Sequence, residues 1–412
     1  MIGIKEVNEI NERCVTFLED LAELGLSPHQ EKKLDKVFSV SDTEKMVGKT
    51  RKTIAKLYSP DSPPEQVERF SPKKQQTSRR VAGFTLEQIN AMRDVYGTRP
   101  GRTPQEPPLT LAIQTFKGGV GKSVSTVYLG QGLAKRGYKV LIVDCDPQGS
   151  TTSSFGYIPD LAFSEENTMI PFLNGEEDTL DYAVIDTYYP GIDLIPSCIP
   201  LYEAEFGLFN NVVSATSQTE KLDFWHEFKE GLDTVSNNYD IIILDSPPAL
   251  GMISINILTA ADAVIVPTPP LGYDFASTSQ YFKMVGKLLA NIPDKQYHFF
   301  KVLGTRVEMS KKNQKAFAKR MQSILGKFMF TSFFKSATAI PNTGSVFKTI
   351  FDVTPKDKAE LDLVVPKDTF DMVEAMIDEI EDEIQMAWGR EVTPRRHITK
   401  NPHSLDTPME AI

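Results

Sequence analysis

The segment KGGVGKS, Lys117–Ser123, brings together the residue types that hold phosphate. Gly118, Gly119 and Gly121 let backbone N–H groups turn inward around phosphate oxygens, with Val120 between them and a helix starting at Val124 to add its N-terminal field. Lys122 supplies a positive charge for β- and γ-phosphates, and the Ser123 hydroxyl suits Mg²⁺. The generic G-x-x-x-x-G-K-[ST] pattern would begin with Gly where Phe116 stands, and a second lysine, Lys117, opens the loop instead. Carboxylates follow at two further places. Asp144 and Asp146 end KVLIVDCD, and Asp245 ends YDIIILD. They suit a metal and an attacking water, or they are ordinary acids at strand ends. Phosphoryl transfer mainly requires positioning and charge neutralisation, which such a set provides. The guanine-reading N-K-x-D pattern is missing from the sequence, which favours ATP over GTP.

The elements around these residues alternate. LTLAIQTF reads as a strand, KGGVGKS as a loop and VSTVYLGQGLAKRG as a helix; KVLIVDCD, YDIIILDS and DAVIVPT are further strands. Apolar runs separated by helices imply an α/β domain with a doubly wound, mostly parallel sheet, whose ligands lie beyond the C-terminal strand ends.

The chain has 412 residues and a net charge of -10, with 41% hydrophobic and 24% charged residues, an ordinary composition for a soluble protein. No apolar run reaches the length of a membrane span. Three cysteines without C-x-x-C spacing argue against a disulfide framework or zinc site and fit a reducing, cytoplasmic setting. The acidic total is uneven: residues 1–36 carry -3, residues 37–102 carry +6 and residues 103–412 carry -13.

That basic segment has its own architecture. Before it, Ile4, Val7, Ile10, Cys14, Phe17, Leu21 and Leu24 form one apolar helix face, with Gly25 as a stop. The stripe suits packing on its own chain or on a second subunit, making residues 1–36 a candidate dimerisation helix. Ser41 with Glu44 reads as a capping box for a helix to Val47; Gly48 turns the chain, and Thr50 caps a second helix to Tyr58. Ile54 and Leu57 face inward, leaving Lys49, Thr50, Arg51, Lys52 and Lys56 for phosphates and base edges, as in a helix-turn-helix. A solvated basic hairpin would look the same. Residues 59–84, with Lys73, Lys74, Arg79 and Arg80, suit a wing or a loop, and Thr85 with Gln88 caps a helix to Tyr96. The expected domains are therefore a winged helix-turn-helix at 37–100, a linker at 101–108, the α/β domain at 109–388 and a flexible tail at 389–412.

KGGVGKS, DCDPQGS (Asp144–Ser150) and IIILDSPPALG together resemble the deviant phosphate loop and switch segments of the ParA/MinD superfamily of dimeric ATPases. The resemblance implies that Lys117 is the signature lysine, reaching the nucleotide of a partner subunit, and that Asp146 positions the attacking water. It implies that Asp245 holds Mg²⁺ with Ser123, and that VIVPTPP, including Pro269, lies beside the adenine and the dimer interface. The helical extension points to the large ParA type, a plasmid-segregating ATPase that also represses its own operon. The resemblance implies ATP and Mg²⁺ as cofactors, a homodimer, a ParB-like centromere-binding partner, and hydrolysis stimulated by that partner and DNA. A nucleoid location follows from non-specific DNA binding in the ATP state, for which Lys312, Lys315, Lys319 and Arg320, with Lys311, Lys335 and Lys348, are candidates. A solvated helix face is the other reading of that cluster. The acidic helix TFDMVEAMIDEIEDEIQMAW and the polar tail after it do not suit a membrane anchor. The rival function is an ATP-regulated transcriptional repressor, and a third is a metabolic P-loop enzyme with a regulatory head.

Overall fold

The computed structural model describes residues 4–21, 36–74, 81–214, 217–292 and 295–392. Its strands are β1 Val37–Phe38, β2 Lys73–Lys74, β3 Val81–Thr85, β4 Leu109–Ile113, β5 Val140–Asp144, β6 Ile185–Asp186, β7 Ile192–Ile195, β8 Ile241–Asp245, β9 Ala263–Thr268, β10 Phe299–Val307 and β11 Met329–Lys335. Every residue of β4, β5, β8 and β9 is buried, as their unbroken apolar character requires.

Eight of these strands form one sheet in the order β11-β10-β9-β4-β8-β5-β7-β6, parallel except where β6 runs against β7. The chain leaves β4 for β5 two places away, later fills the gap with β8, and then crosses to the other side of β4 with β9. This reversal opens a crevice beyond the C-terminal end of β4. Side chains alternate across the sheet. Leu111, Ile113, Ile142 and Ile243 pack with the helices Lys122–Arg136 and Lys367–Ala387. Ala112, Leu141, Ile242 and Leu244 pack with Met252–Ala260 and Gly272–Leu289 on the other face. Arg136 ties the two helices of the first face together by ion pairs to Glu374 at 3.1 Å, Asp378 at 2.5 Å and Glu381 at 2.6 Å.

The N-terminal unit is a small helical fold on a three-stranded antiparallel sheet, β1-β3-β2. Its first helix, Val40–Val47, is capped by Ser39 rather than Ser41: Ser39 Oγ accepts from Asp42 N at 3.1 Å and donates to the Asp42 carboxylate at 2.6 Å. The cap shifts because Ser39-Asp42 has the same i, i+3 spacing as Ser41-Glu44, while Glu44 is drawn off to accept from Arg51 N. Gly48, at φ +67°, closes that helix, and Thr50 caps the next, Arg51–Ala55, which ends in a 3-10 turn to Tyr58. Residues 59–84 hold a further helix, Pro64–Phe70, before β2 and β3 pair as a wing. Arg79 and Arg80 lie outside the described residues, as do Leu24, Gly25 and the tail from 393.

Residues 97–108 have no regular structure, yet they are fastened to the sheet domain. Arg99 Nε donates to Gly137 O at 2.7 Å, and Arg102 donates to Asp240, Tyr239 and Asn237. Arg390 binds Glu106 and Gly101 O from the far end of the chain. Lys36 reaches from the head to Phe351 O at 2.8 Å, and burial lowers its pKa to about 8. One hydrophobic cluster runs from Val47, Ile54 and Met92 to Leu133, Tyr138 and Trp388. Head and body are packed together rather than tethered. The helix Ile4–Leu21 behaves differently: Ile4, Val7, Ile10 and Phe17 are all more than half exposed, so its apolar stripe is not covered by the described residues of its own chain.

Candidate functional site

The loop after β4 turns through Gly119 at φ +71° and Gly121 at φ +96°, backbone angles that favour glycine. A Cβ at either position would meet ordinary contacts near 3.9 Å, so conformation rather than space demands glycine there. The helix Lys122–Arg136 begins with no side-chain cap, so its first N–H groups have no side-chain acceptor at the N-cap. Lys122 is 6% exposed, and its ammonium donates to Lys117 O at 3.2 Å. Burial lowers its pKa, while the fields of Asp245 and Asp146 oppose that shift. An uncapped helix end, a glycine cradle and a desolvated ammonium without an ion-pair partner among the described residues fit an anionic phosphate chain.

Three carboxylates lie near this loop, at and just beyond the ends of β5 and β8. Asp144 and Asp245 are paired neighbours at the ends of β5 and β8, and both are fully buried. Burial raises both pKa values, and for Asp144 the charge of Asp245 adds to the rise. Asp144 is held by Thr152, whose backbone N and Oγ1 each lie 2.8 Å from its carboxylate. Asp245 accepts from Thr151 Oγ1 at 2.7 Å and Thr126 Oγ1 at 3.3 Å, with a further hydrogen bond from Ser123. Asp146 is buried, accepts from Gln148 N at 3.0 Å, and lies within the field of Lys122. Asp144 is thus locked by threonine, whereas Asp245 with Ser123 and Asp146 with Lys122 border the cradle. No group of three His, Cys, Asp or Glu able to hold a metal alone occurs among the described residues. A serine and one carboxylate fit a cation that takes its remaining ligands from water and phosphate, as Mg²⁺ does.

Lys117 does not reach outward. Its ammonium pairs with Asp274 at 2.6 Å, on the first turn of the helix Gly272–Leu289. Val120 is buried under the loop, whereas Val124 is exposed on its outer side. Pro269 is buried at the end of β9, where its carbonyl accepts from Leu271 N at 2.8 Å, so it forms wall rather than surface.

The candidate DNA-contacting residues lie elsewhere. Thr50, Arg51, Lys52 and Lys56 are exposed on the second helix of the head, with Ile54 and Leu57 buried beneath it. Lys49 is half-buried, 5.8 Å from the Tyr96 ring centre. On the body, the helix Lys312–Leu325 buries Gln314, Ala318 and Met321; Lys312 and Arg320 are exposed, and Lys315 and Lys319 half-buried. Lys311 is paired with Glu308 at 2.8 Å, and Lys348 with Asp357 at 2.6 Å, so neither stands as a free cation.

Sequence reading missed six members of the site. Thr151 and Thr152 follow DPQGS directly and Thr126 lies on the helix after the loop, all three legible as hydroxyls beside the motifs; Asp274, Thr305 and Arg306 arrive from distant strands and helices. Thr305 Oγ1 donates to Val120 O at 2.7 Å, and Arg306 Nη1 to Gly119 O at 2.5 Å.

Residues 109–296 match a family described as an AAA domain. Protein SopA of Escherichia coli is 41% identical over 211 residues, 51% of this chain, and the matched stretch spans about half of SopA's own length, 54%. The sporulation initiation inhibitor protein Soj of Bacillus subtilis is 38% identical over 175 residues, 42% of this chain and 64% of Soj. A solved structure described as a partition protein superposes with a TM-score of 0.63 at 17% identity, covering 93% of this chain and 98% of its own, and so shares the fold.

Proposed function

We propose that this chain, a member of the ParA/MinD group of P-loop ATPases, is an ATP-hydrolysing DNA partition protein of the kind that segregates plasmid copies. The observation that carries the reading is the Lys117–Ser123 loop: a glycine cradle with two lysines, set against Asp245 and Asp146. Residues 118–124 enclose the phosphates, and Lys122 neutralises their charge. Ser123 and Asp245 would hold Mg²⁺, which would supply positive charge against the negative charge that develops in phosphoryl transfer. Asp146 orients the attacking water. Lys117 leaves Asp274 to meet the nucleotide of a second copy, so the complete site needs a homodimer. The apolar stripe of Ile4–Leu21, left exposed among the described residues, supports a second contact between the copies.

DNA is met in two ways in this reading. Lys49, Thr50, Arg51, Lys52 and Lys56 enter the major groove of an operator, and the protein represses its own operon. Lys312, Lys315, Lys319 and Arg320 grip phosphates without sequence preference in the ATP-bound dimer, placing it on the nucleoid. A ParB-like protein bound at a centromere site stimulates hydrolysis and releases that dimer.

The test is ATP turnover measured alone, with DNA, and with DNA plus the centromere-binding partner. Slow basal turnover that rises with both additions is expected. Asp146→Ala should keep ATP binding and lose turnover. Tight operator binding with no stimulation by either addition would instead favour an ATP-regulated repressor.

A further inference from the structure

In a phosphate cradle the peptide N–H groups face the anion, so the carbonyls of the same peptides must face away. A buried carbonyl such as that of Val120 needs a donor, and an exposed one such as that of Gly119 is fixed in direction by one. Here both donors come from two consecutive residues of β10. Thr305 is fully buried, and its hydroxyl meets Val120 O at 2.7 Å; Arg306 Nη1 meets Gly119 O at 2.5 Å. These loop residues lie 185 and 187 positions earlier in the chain.

Two adjacent strand residues normally point to opposite faces of a sheet. This pair does not, because the strand is irregular at that point. The register of β10 against β11 slips between Thr305 and Val307, and Arg306 sits at φ +52°, a left-handed conformation unusual for a side chain with a Cβ. The slip lets both side chains reach the same loop. Strained backbone held in place at a ligand site commonly serves positioning.

We propose that the Thr305–Arg306 bulge is a positioning device for the phosphate loop. It holds the carbonyls of Gly119 and Val120 outward so that the adjoining N–H groups converge on phosphate before nucleotide arrives. Both act through the loop backbone and are positioning residues, not catalytic ones. The inference rests on reading Lys117–Ser123 as a phosphate cradle, and it adds that the cradle is preorganised from β10. The strand also runs on within five residues to the basic helix Lys312–Leu325, whose Gln314 Oε1 accepts from Glu308 N at 2.9 Å. The bulge therefore lies between the phosphate loop and a candidate DNA surface.

The experiment compares the full-length protein with Thr305→Val, Thr305→Ser and Arg306→Gly, the last of which keeps a residue suited to positive φ while removing the guanidinium. Amide exchange over residues 114–126 is followed in the free protein, alongside titration with a fluorescent ATP analogue and Mg²⁺. Thr305→Val and Arg306→Gly should each speed exchange in the loop about tenfold and weaken analogue binding about tenfold, the scale of one hydrogen bond. Thr305→Ser should restore most of both, a rescue that a purely volumetric role would not give. Loop exchange unchanged in Thr305→Val and Arg306→Gly would overturn the proposal, as would failure of Thr305→Ser to recover. Wild-type protein that does not bind the analogue would overturn the nucleotide reading, and loop exchange would still decide for or against the bulge.

Discussion

Replacing Lys122 with methionine separates what this residue costs the fold from what it gives the site. Its ammonium is 6% exposed, has one hydrogen bond, to Lys117 O at 3.2 Å, and burial lowers its pKa. Methionine retains the stem's volume and removes the buried charge. Losing the hydrogen bond costs about 1 kcal/mol, and relief of desolvation offsets this, so nucleotide-free stability should stay within about 1 kcal/mol of wild type or rise. Nucleotide binding should respond in the opposite sense. A charged contact to phosphate in a desolvated site is worth about 3 kcal/mol, roughly a hundredfold in affinity. At ATP a hundredfold above the wild-type Kd, ligand stabilises the native state by about 2.7 kcal/mol; with Kd raised a hundredfold, the same ATP stabilises the variant by only about 0.4 kcal/mol. Urea unfolding of both proteins, with and without ATP and Mg²⁺, measures the two quantities together. A variant that keeps the full ATP-dependent stabilisation would refute the placement of phosphate at Lys122. A nucleotide-free loss beyond about 2 kcal/mol would refute the claim that the buried charge is a burden on the fold.

The remaining expectations concern the head, its attachment and the basic helix of the body. Lys36 has its pKa lowered from 10.5 to about 8 on folding, chiefly by burial. The unfolded chain therefore holds one more proton than the native state between those values, and stability relative to Lys36→Met should increase as pH rises through them. The gain is about 1.4 kcal/mol per pH unit and about 3 kcal/mol in all. Paired urea titrations at pH 7.5 and 9.5 test this, and a difference that does not change with pH would contradict it. Arg51→Ala, exposed on the second helix of the head, should weaken operator binding about tenfold or more in a gel-shift assay while the ATP titration is unaltered. Charge reversal of Lys312 and Arg320 together should lower non-specific DNA binding and reduce the slope of log affinity against log salt by about 2, read by fluorescence anisotropy across a salt series.

Features confined to short stretches of chain were legible before any coordinates. The strand–loop–helix unit around Lys117–Ser123 needs only its own residues, because an apolar run, three glycines and a helix-forming segment define it locally. The capping box at Thr85–Gln88 and the turn at Gly48 were likewise readable, since a cap spans three positions. The first cap was misplaced from Ser39 to Ser41 because two serines compete with equal spacing and only the fold assigns Glu44 to Arg51. The segment 97–108 looked like slack linker by its prolines and glycines. Arg102, however, meets the Asp240 carboxylate and the carbonyls of Tyr239 and Asn237, all more than a hundred positions away, and no local pattern records that.

The sequence by itself therefore determined which residue types stand together: a glycine loop with two lysines, carboxylates at strand ends and a basic head apart from an acidic body. Only the tertiary structure decided how these groups are held. It pairs Lys117 with Asp274, places Thr151 on Asp245, and brings Thr305 and Arg306 to the back of the loop. The physical reason is range. Backbone angles, caps and apolar periodicity act over a few residues and are written where they act. The partner of a buried charge or carbonyl is set by which strands become neighbours in the sheet, and that is a property of the whole chain.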